Sequence, residues 1–261
     1  MSNNFTIVLE NLKMLQIICG PNDINTKAMQ SIMGIDVFTR GNEVILDSND
    51  PQEQEYFKTL IDKLIEHFNI GHTPDPQLIS TLYESILKNG NTRTDLLKDL
   101  HIALPKSPKV FPRNHNQAKY IEGMFNYNIV FAVGPAGTGK TYLAIAHALK
   151  EILEKKKRKL VLTRPVVEAG ESLGFLPGDL NQKISPYLRP LYDAIDSLVP
   201  YNTISKLEEN RIIEIAPLAY MRGRSLKDSY IVLDEAQNTT KEQMKMFLTR
   251  LGEGSRAIIT G

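Results

Sequence analysis

The stretch 129–153, IVFAVGPAGTGKTYLAIAHALKEIL, decides the fold. An apolar, β-branched segment runs into a glycine-rich turn and then into a stretch with helical spacing. The turn, Gly134-Pro135-Ala136-Gly137-Thr138-Gly139-Lys140-Thr141, satisfies G-x-x-x-x-G-K-[ST] in the strand-then-helix context that gives this pattern its meaning. Glycines 134, 137 and 139 permit a loop whose backbone amides converge on phosphate oxygens, and the helix N-terminus adds partial positive charge. Pro135, Ala136 and Thr138 complete the cradle. Lys140 is placed to reach the β- and γ-phosphates of a nucleoside triphosphate, and the Thr141 hydroxyl to ligate Mg²⁺.

Such a loop needs an acid at the end of a neighbouring strand to hold the metal, and Tyr230-Ile-Val-Leu-Asp234-Glu235-Ala-Gln supplies it about 90 residues downstream. Asp234 is placed to hold Mg²⁺ through water. Glu235 is placed to orient or deprotonate an attacking water. The runs IVFAV, KLVLT, IIEIA, YIVLD and RAIIT alternate with helical stretches, which is the pattern of an α/β domain with a parallel sheet covered by helices.

Upstream, LPKSPKVFP at 104–112 carries three prolines and reads as an extended linker, so the second domain is expected to span 111–261. Residues 1–70 read as a small α+β domain. The apolar run MLQIIC at 14–19 is taken as a strand, followed by a helix near Asn25–Met33, a hairpin of IDVFT and EVILD around Arg40-Gly41-Asn42, and a helix opened by Asp50-Pro51. Residues 71–110 form a helical linker region with one amphipathic helix through Leu78, Leu82 and Ile86.

Hydrophobic residues make up 42% of the 261, yet no apolar run approaches the roughly 18 residues of a membrane span. The first residues lack the basic flank and apolar stretch of a secretory signal, and the lone Cys19 has no partner for an internal disulfide. A cytoplasmic, non-membrane protein is therefore expected. Residues 1–110 carry 10 basic and 14 acidic side chains and residues 111–261 carry 21 and 16, giving −4 and +5. The basic second half suits phosphate-bearing ligands.

The blocks GPAGTGKT at 134–141, TRPVVEAGESLGFLPGDL at 163–180, SPYLRPLYDAI at 185–195, APLAYMRGRSLKDSYIVLDEAQNTT at 216–240 and the closing RAIITG together resemble the PhoH-like ATPase family. The resemblance implies a P-loop NTPase core related to the first RecA-like domain of superfamily-one helicases. It also implies a KH-like fold for the preceding unit, although Gly20-Pro21-Asn22-Asp23 does not match the G-x-x-G clamp of KH modules and the unit is acidic. By the same resemblance Gln117 is a candidate reader of adenine, whose N6 and N7 suit an amide; the alternative is a helix-capping glutamine. Arg164 falls where helicases approach the strand backbone. Arg222 and Arg224 are candidates for contacts to a nucleic-acid strand or to ATP of a neighbouring subunit, or for structural pairing with Glu168, Glu171 or Asp228. The family pattern continues past Gly261 with an Asp and then a Gln, so a chain ending there is expected to be a truncated form, slower in hydrolysis and more prone to aggregate.

These readings imply ATP and Mg²⁺ as cofactors and hydrolysis coupled to RNA or single-stranded DNA, with a homo-oligomer completing the site. A P-loop kinase, or a nucleotide-gated adaptor controlling a partner such as a nuclease, remains the alternative. A GTPase is disfavoured because no Asn-Lys-x-Asp motif follows the P-loop. Lys140→Ala is expected to abolish productive ATP binding by removing the cation that faces the phosphates. Undiminished nucleotide affinity and turnover in this variant would end the P-loop reading.

Overall fold

The computed structural model describes residues 4–88, 94–165 and 180–261, so most of the block 163–180, with Glu168 and Glu171, lies outside the described residues. The chain divides into two compact units, Met1–His101 with Phe111–Ala118, and Ile102–Val110 with Lys119–Gly261.

The first unit runs β1 (Phe5–Val8), α1 (Leu12–Cys19), α2 (Ile24–Met33), β2 (Val37–Arg40), β3 (Glu43–Leu46), α3 (Pro51–Asn69), α4 (Pro76–Leu87) and α5 (Thr94–Asp99). Its sheet is antiparallel in the order β1–β3–β2. The expected hairpin is β2–β3, with Arg40 opposite Glu43 across the two-residue turn Gly41-Asn42. Asp50 caps α3 by accepting from the Gln52 amide at 2.8 Å, with Pro51 in the first turn. Such a cap contributes about 1 kcal/mol.

The reading of 14–19 as a strand is corrected: these residues are the helix α1, and the first strand is the FTIV segment before it. Met14, Leu15, Ile18 and Cys19 are buried, a helical spacing, and Asn11 accepts from the Met14 amide at 2.9 Å. A short apolar run carries no period of its own strong enough to choose, and here the cap and the core choose. The segment expected as a linker also belongs to this unit. Leu78, Ile79 and Leu82 of α4 and Leu97 of α5 share one buried core with Met14, Ile18, Phe57, Leu60, Ile61 and Leu64.

The Leu104–Pro112 loop is likewise not extended. Ile102 and Val110 exchange both backbone hydrogen bonds, at 2.8 and 2.9 Å, and Lys106 adopts a left-handed φ of 63° so that the chain folds back on itself.

The second unit contains the end of α6 (His115–Asn126), then β4 (Ile129–Ala132), α7 (Lys140–Leu153), β5 (Lys159–Arg164), α8 (Leu180–Leu198), α9 (Tyr201–Glu209), β6 (Ile213–Pro217), β7 (Ser229–Leu233), α10 (Lys241–Leu248) and β8 (Arg256–Thr260). All five apolar runs are strands of one parallel sheet in the order β4–β8–β7–β5–β6. This is the P-loop NTPase sheet, with helices on both faces. Alternation along β7 separates the two sides. The Tyr230 hydroxyl and His147 Nδ1 of α7 are 2.7 Å apart on one side, while Ile231 and Leu233 pack with Phe247 of α10 on the other. On the edge strand β4 and its flanks, Tyr127, Ile129, Phe131 and Val133 are exposed at every second position. Among the described residues no helix is long and apolar enough to cross a membrane.

Two buried histidines in the first unit make its stability depend on acid. His67 and His72 face each other Nδ1 to Nδ1 at 2.8 Å, and Phe111 stacks on His72 with ring centroids 4.4 Å apart. One Nδ1 must donate and the other accept, which requires at least the acceptor ring to be neutral. Burial, then the opposing ring and nearby lysines, pushes His67 down to about 3. Burial pushes His72 down to about 4, with Arg113 adding and Asp75 opposing. Both folded values lie below the unfolded value, so the unfolded chain binds more protons below pH 6.5 and stability falls as pH drops from there toward 4 and 3. Denaturant midpoints of a His67→Leu/His72→Phe variant, measured from pH 7 to 4.5, are expected to fall less steeply than those of the parent; parallel curves would remove the pair from the account.

Candidate nucleotide-binding site

Because the strands of the second unit are parallel, their C-terminal ends gather on one rim, where open α/β sheets take their ligands. Here the rim brings together the turn after β4, Arg164 ending β5, Asp234 and Glu235 after β7, and Gly261 after β8. They enclose a cavity of about 540 Å³, within the range for a small-molecule ligand.

The P-loop forms one wall. Gly137 and Gly139 have φ of 75° and 81°, a left-handed geometry that side chains oppose. The Gly134 amide donates to the Gly261 carbonyl at 3.1 Å, and the Gly261 amide to the Ala132 carbonyl at 3.0 Å, which fixes the loop to the end of β8. Gly139 is the N-cap of α7 and supplies no side-chain acceptor, so the helix start is suited to an anion. Lys140 arches over the loop and donates from Nζ to the carbonyls of Gly134 at 2.6 Å and Pro135 at 2.9 Å. A phosphate entering the loop would exchange these neutral acceptors for charged ones.

Asp234 forms the facing wall and is only 4% exposed. Its Oδ1 accepts from the Thr141 hydroxyl at 2.6 Å and from the Thr260 hydroxyl at 2.8 Å, while its amide donates to the Thr163 carbonyl at 2.9 Å. The two residues expected to hold Mg²⁺ therefore touch. A hydroxyl and one carboxylate fit this ion, which binds through one or two protein oxygens together with substrate phosphates and waters. Among the described residues no cluster of three His, Cys, Asp or Glu side chains offers a metal site formed by protein alone.

Glu235 adopts a left-handed φ of 52°, uncommon for a residue with a side chain and typical of functional sites. Its carboxylate accepts from Gln237 Nε2 through Oε2, and Arg164 Nη2 stands 3.5 Å from Oε1. Arg164 is anchored by donating from Nη1 to the Tyr187 carbonyl at 3.3 Å. The side chain that the resemblance relates to the nucleic-acid backbone thus lines the nucleotide cavity, beside the carboxylate placed for water.

Arg224 forms a two-pronged pair with Glu214 of β6, at 2.5 and 2.8 Å, and Lys159 approaches the same carboxylate at 2.6 Å. These cations hold the Glu214 carboxyl down to about 2, Arg224 having the larger effect. Among the described residues the acidic partner of Arg224 is Glu214 and not the anticipated Asp228. Arg222 is exposed. Gln117 sits in the first unit, where its Oε1 accepts from the Arg113 amide at 2.7 Å and its own amide donates to Asn114 Oδ1 at 2.9 Å, contacts of a helix start.

Three contributors carried no assigned role in the sequence. Thr260 and Gln237 are polar residues closing or following apolar strands, a signal that the motifs contained without ranking. Tyr120 donates to the Lys140 carbonyl at 3.3 Å, and burial together with the Asp234 charge keeps its phenol protonated. Nothing in its local sequence marks it.

The PhoH-like protein family model matches residues 109–261. The chain belongs to this family. A PhoH-like protein of Mycobacterium leprae is 45% identical over 244 residues, covering 94% of this chain and 70% of the relative. One from Bacillus subtilis is 44% identical over 243 residues, covering 93% and 76%. Protein PhoH of Escherichia coli K12 is 43% identical over 154 residues, covering 58% and 44%. Membership in this P-loop family agrees with nucleotide binding at the cavity described above.

Thr260 tests the metal-side geometry. Thr260→Val keeps the shape of a buried side chain while removing its hydrogen bond to Asp234, and is expected to raise by several-fold the Mg²⁺ concentration that supports half-maximal nucleotide binding. An unchanged Mg²⁺ dependence would show that the Asp234 carboxylate is held well enough without it.

Proposed function

We propose that this chain is an Mg²⁺-dependent ATP hydrolase whose turnover is coupled to RNA or single-stranded DNA. The observation that supports hydrolysis is the juxtaposition, in one cavity, of the Thr141–Asp234 oxygen pair and a second carboxylate, Glu235, held between Gln237 and Arg164. A metal pair alone suits any phosphoryl transfer, whereas an adjacent positioned carboxylate suits a water nucleophile.

In this reading the P-loop amides and Lys140 bind the β- and γ-phosphates, and Thr141 and Asp234 hold Mg²⁺. The ion, when bound, neutralises charge on the phosphate oxygens. Glu235 orients a water for in-line attack on the γ-phosphorus and accepts its proton. The bond from that phosphorus to the bridging oxygen breaks, and the electron pair leaves with ADP. Arg164 and Gln237 position Glu235. Most of the rate gain in such a reaction is positioning and charge stabilisation, which a preformed rim of strand ends supplies.

The nucleic-acid part of the proposal is supported by the +5 surplus of residues 111–261 and by the helicase-like order of the motifs. An oligomer of this chain is supported by the apolar strip on β4, since such strips mark association surfaces. The lone, buried and unpaired thiol of Cys19 supports a reducing, cytoplasmic setting.

The test is phosphate release from ATP with and without polyuridine RNA or oligothymidine DNA across salt concentrations. Turnover is expected to rise with one of these polymers and the stimulation to fall steeply with salt. Glu235→Gln is expected to retain Mg²⁺-ATP affinity and lose about 10²-fold in turnover. Turnover insensitive to both polymers would overturn the coupling, and a Glu235→Gln enzyme of normal rate would overturn the role of that carboxylate.

A further inference from the structure

A second concavity of the ATPase unit, of about 350 Å³, has α10 as one wall and Arg222-Gly223 as the other. The α10 wall consists of Glu242, Lys245, Met246, Thr249 and Arg250, spaced so that they lie along one stripe of the helix and its last turn. Phe247 of the same helix is fully buried in the core beneath the sheet; Glu242, Lys245 and Thr249 of the stripe are exposed, while Met246 packs partly against that core.

Charge in this groove is one-sided. Among the described residues Arg222, Lys245 and Arg250 line it against one acid, Glu242. The neighbouring Arg224, consumed by Glu214, anchors the segment to β6 and leaves Arg222 to overhang the groove. Arg222 is exposed, and its guanidinium makes no hydrogen bond or ion pair among the described residues. The Arg250 guanidinium is fixed at both terminal nitrogens: Nη1 donates to the Arg224 carbonyl at 3.2 Å and Nη2 to the Thr249 hydroxyl at 3.3 Å. Each of these nitrogens carries a second N–H, so the held guanidinium keeps donors for an anionic acceptor in the groove.

We propose that this groove binds the phosphodiester backbone of a single-stranded nucleic acid, with Arg222, Lys245 and Arg250 as the phosphate contacts; the inference rests on the nucleic-acid-coupled reading and locates it. Among the described residues the lining contains three cations, one carboxylate, a hydroxyl and a thioether and no aromatic ring, so it can hold phosphates but offers no platform for stacking bases. Binding here is sequence-independent. Because α10 follows directly from the segment carrying Asp234, Glu235 and Gln237, a strand seated against it is connected to the catalytic carboxylates by one short stretch of chain.

The experiment is fluorescence anisotropy with labelled 12-residue oligothymidine DNA and oligouridine RNA at several salt concentrations. The proteins compared are the parent, Arg222→Ala, Lys245→Ala, Arg222→Lys, and Lys155→Ala as a control for an exposed cation beyond α7. Each alanine variant in the groove is expected to weaken binding about 3- to 10-fold and to lower the slope of log affinity against log salt by about one. Arg222→Lys is expected to restore much of the slope, and Lys155→Ala to behave as the parent. Thermal midpoints equal to that of the parent would place the losses at the surface. If the parent binds and the groove variants match it in affinity and slope, the groove assignment is overturned while the functional proposal stands. Binding to neither polymer by the parent overturns both. A loss confined to one base sequence, or a groove that takes an acidic peptide in place of the oligonucleotides, overturns the backbone assignment.

Discussion

The buried carboxylate of Asp234 is the point on which the ATPase unit depends. A carboxylate with 4% exposure is costly to keep ionised unless its oxygens are satisfied, and two hydroxyls, Thr141 from the P-loop helix and Thr260 from β8, converge on one of them. Those contacts tie three elements of the rim together: the start of α7, the end of β7 and the end of β8. The bonds between Gly134, Gly261 and Ala132 extend the tie to the P-loop itself. In the proposed reading, what holds the fold at this rim also holds the oxygens that would ligate Mg²⁺, so stability and chemistry share the same atoms.

Beside this rigid pair the structure stores strain. Glu235 leaves β7 in a left-handed conformation, which costs on the order of 1 kcal/mol or more, and the surroundings hold it there through Gln237 and Arg164. Arg164 is in turn fixed by the Tyr187 carbonyl of α8, so the carboxylate is supported from a second element of the same unit. The role proposed for Glu235 needs this kind of outer support, since a side chain free to rotate would lose the orientation on which its contribution rests.

The small unit illustrates how local pattern yields to packing. Its hairpin, its α3 cap and its amphipathic helices were legible because turn chemistry and helical spacing act over a few residues. The run at 14–19 was not, since five apolar residues around Gln16 satisfy either period and only the Asn11 cap and the shared core with α3 select the helix. The proline-rich loop was misread for a related reason. Proline restricts φ, but it does not say which way the chain goes, and the Ile102–Val110 bridge is a contact across the loop.

The sequence by itself determined the P-loop, the acids at the end of β7, the five strands and the family, because each is a contiguous pattern whose chemistry is complete within a few residues. Only the tertiary structure decided the strand order. That order inserts β8 between β4 and β7 and so carries Thr260 to Asp234, although the two are 26 positions apart. It also assigned the arginines: Arg164 to the cavity, Arg224 to Glu214, and Arg222 to the groove along α10. A guanidinium reaches far enough to pair with any of several acids, and which one it meets is fixed by how strands and helices pack, a property of the whole domain that no short stretch of sequence contains.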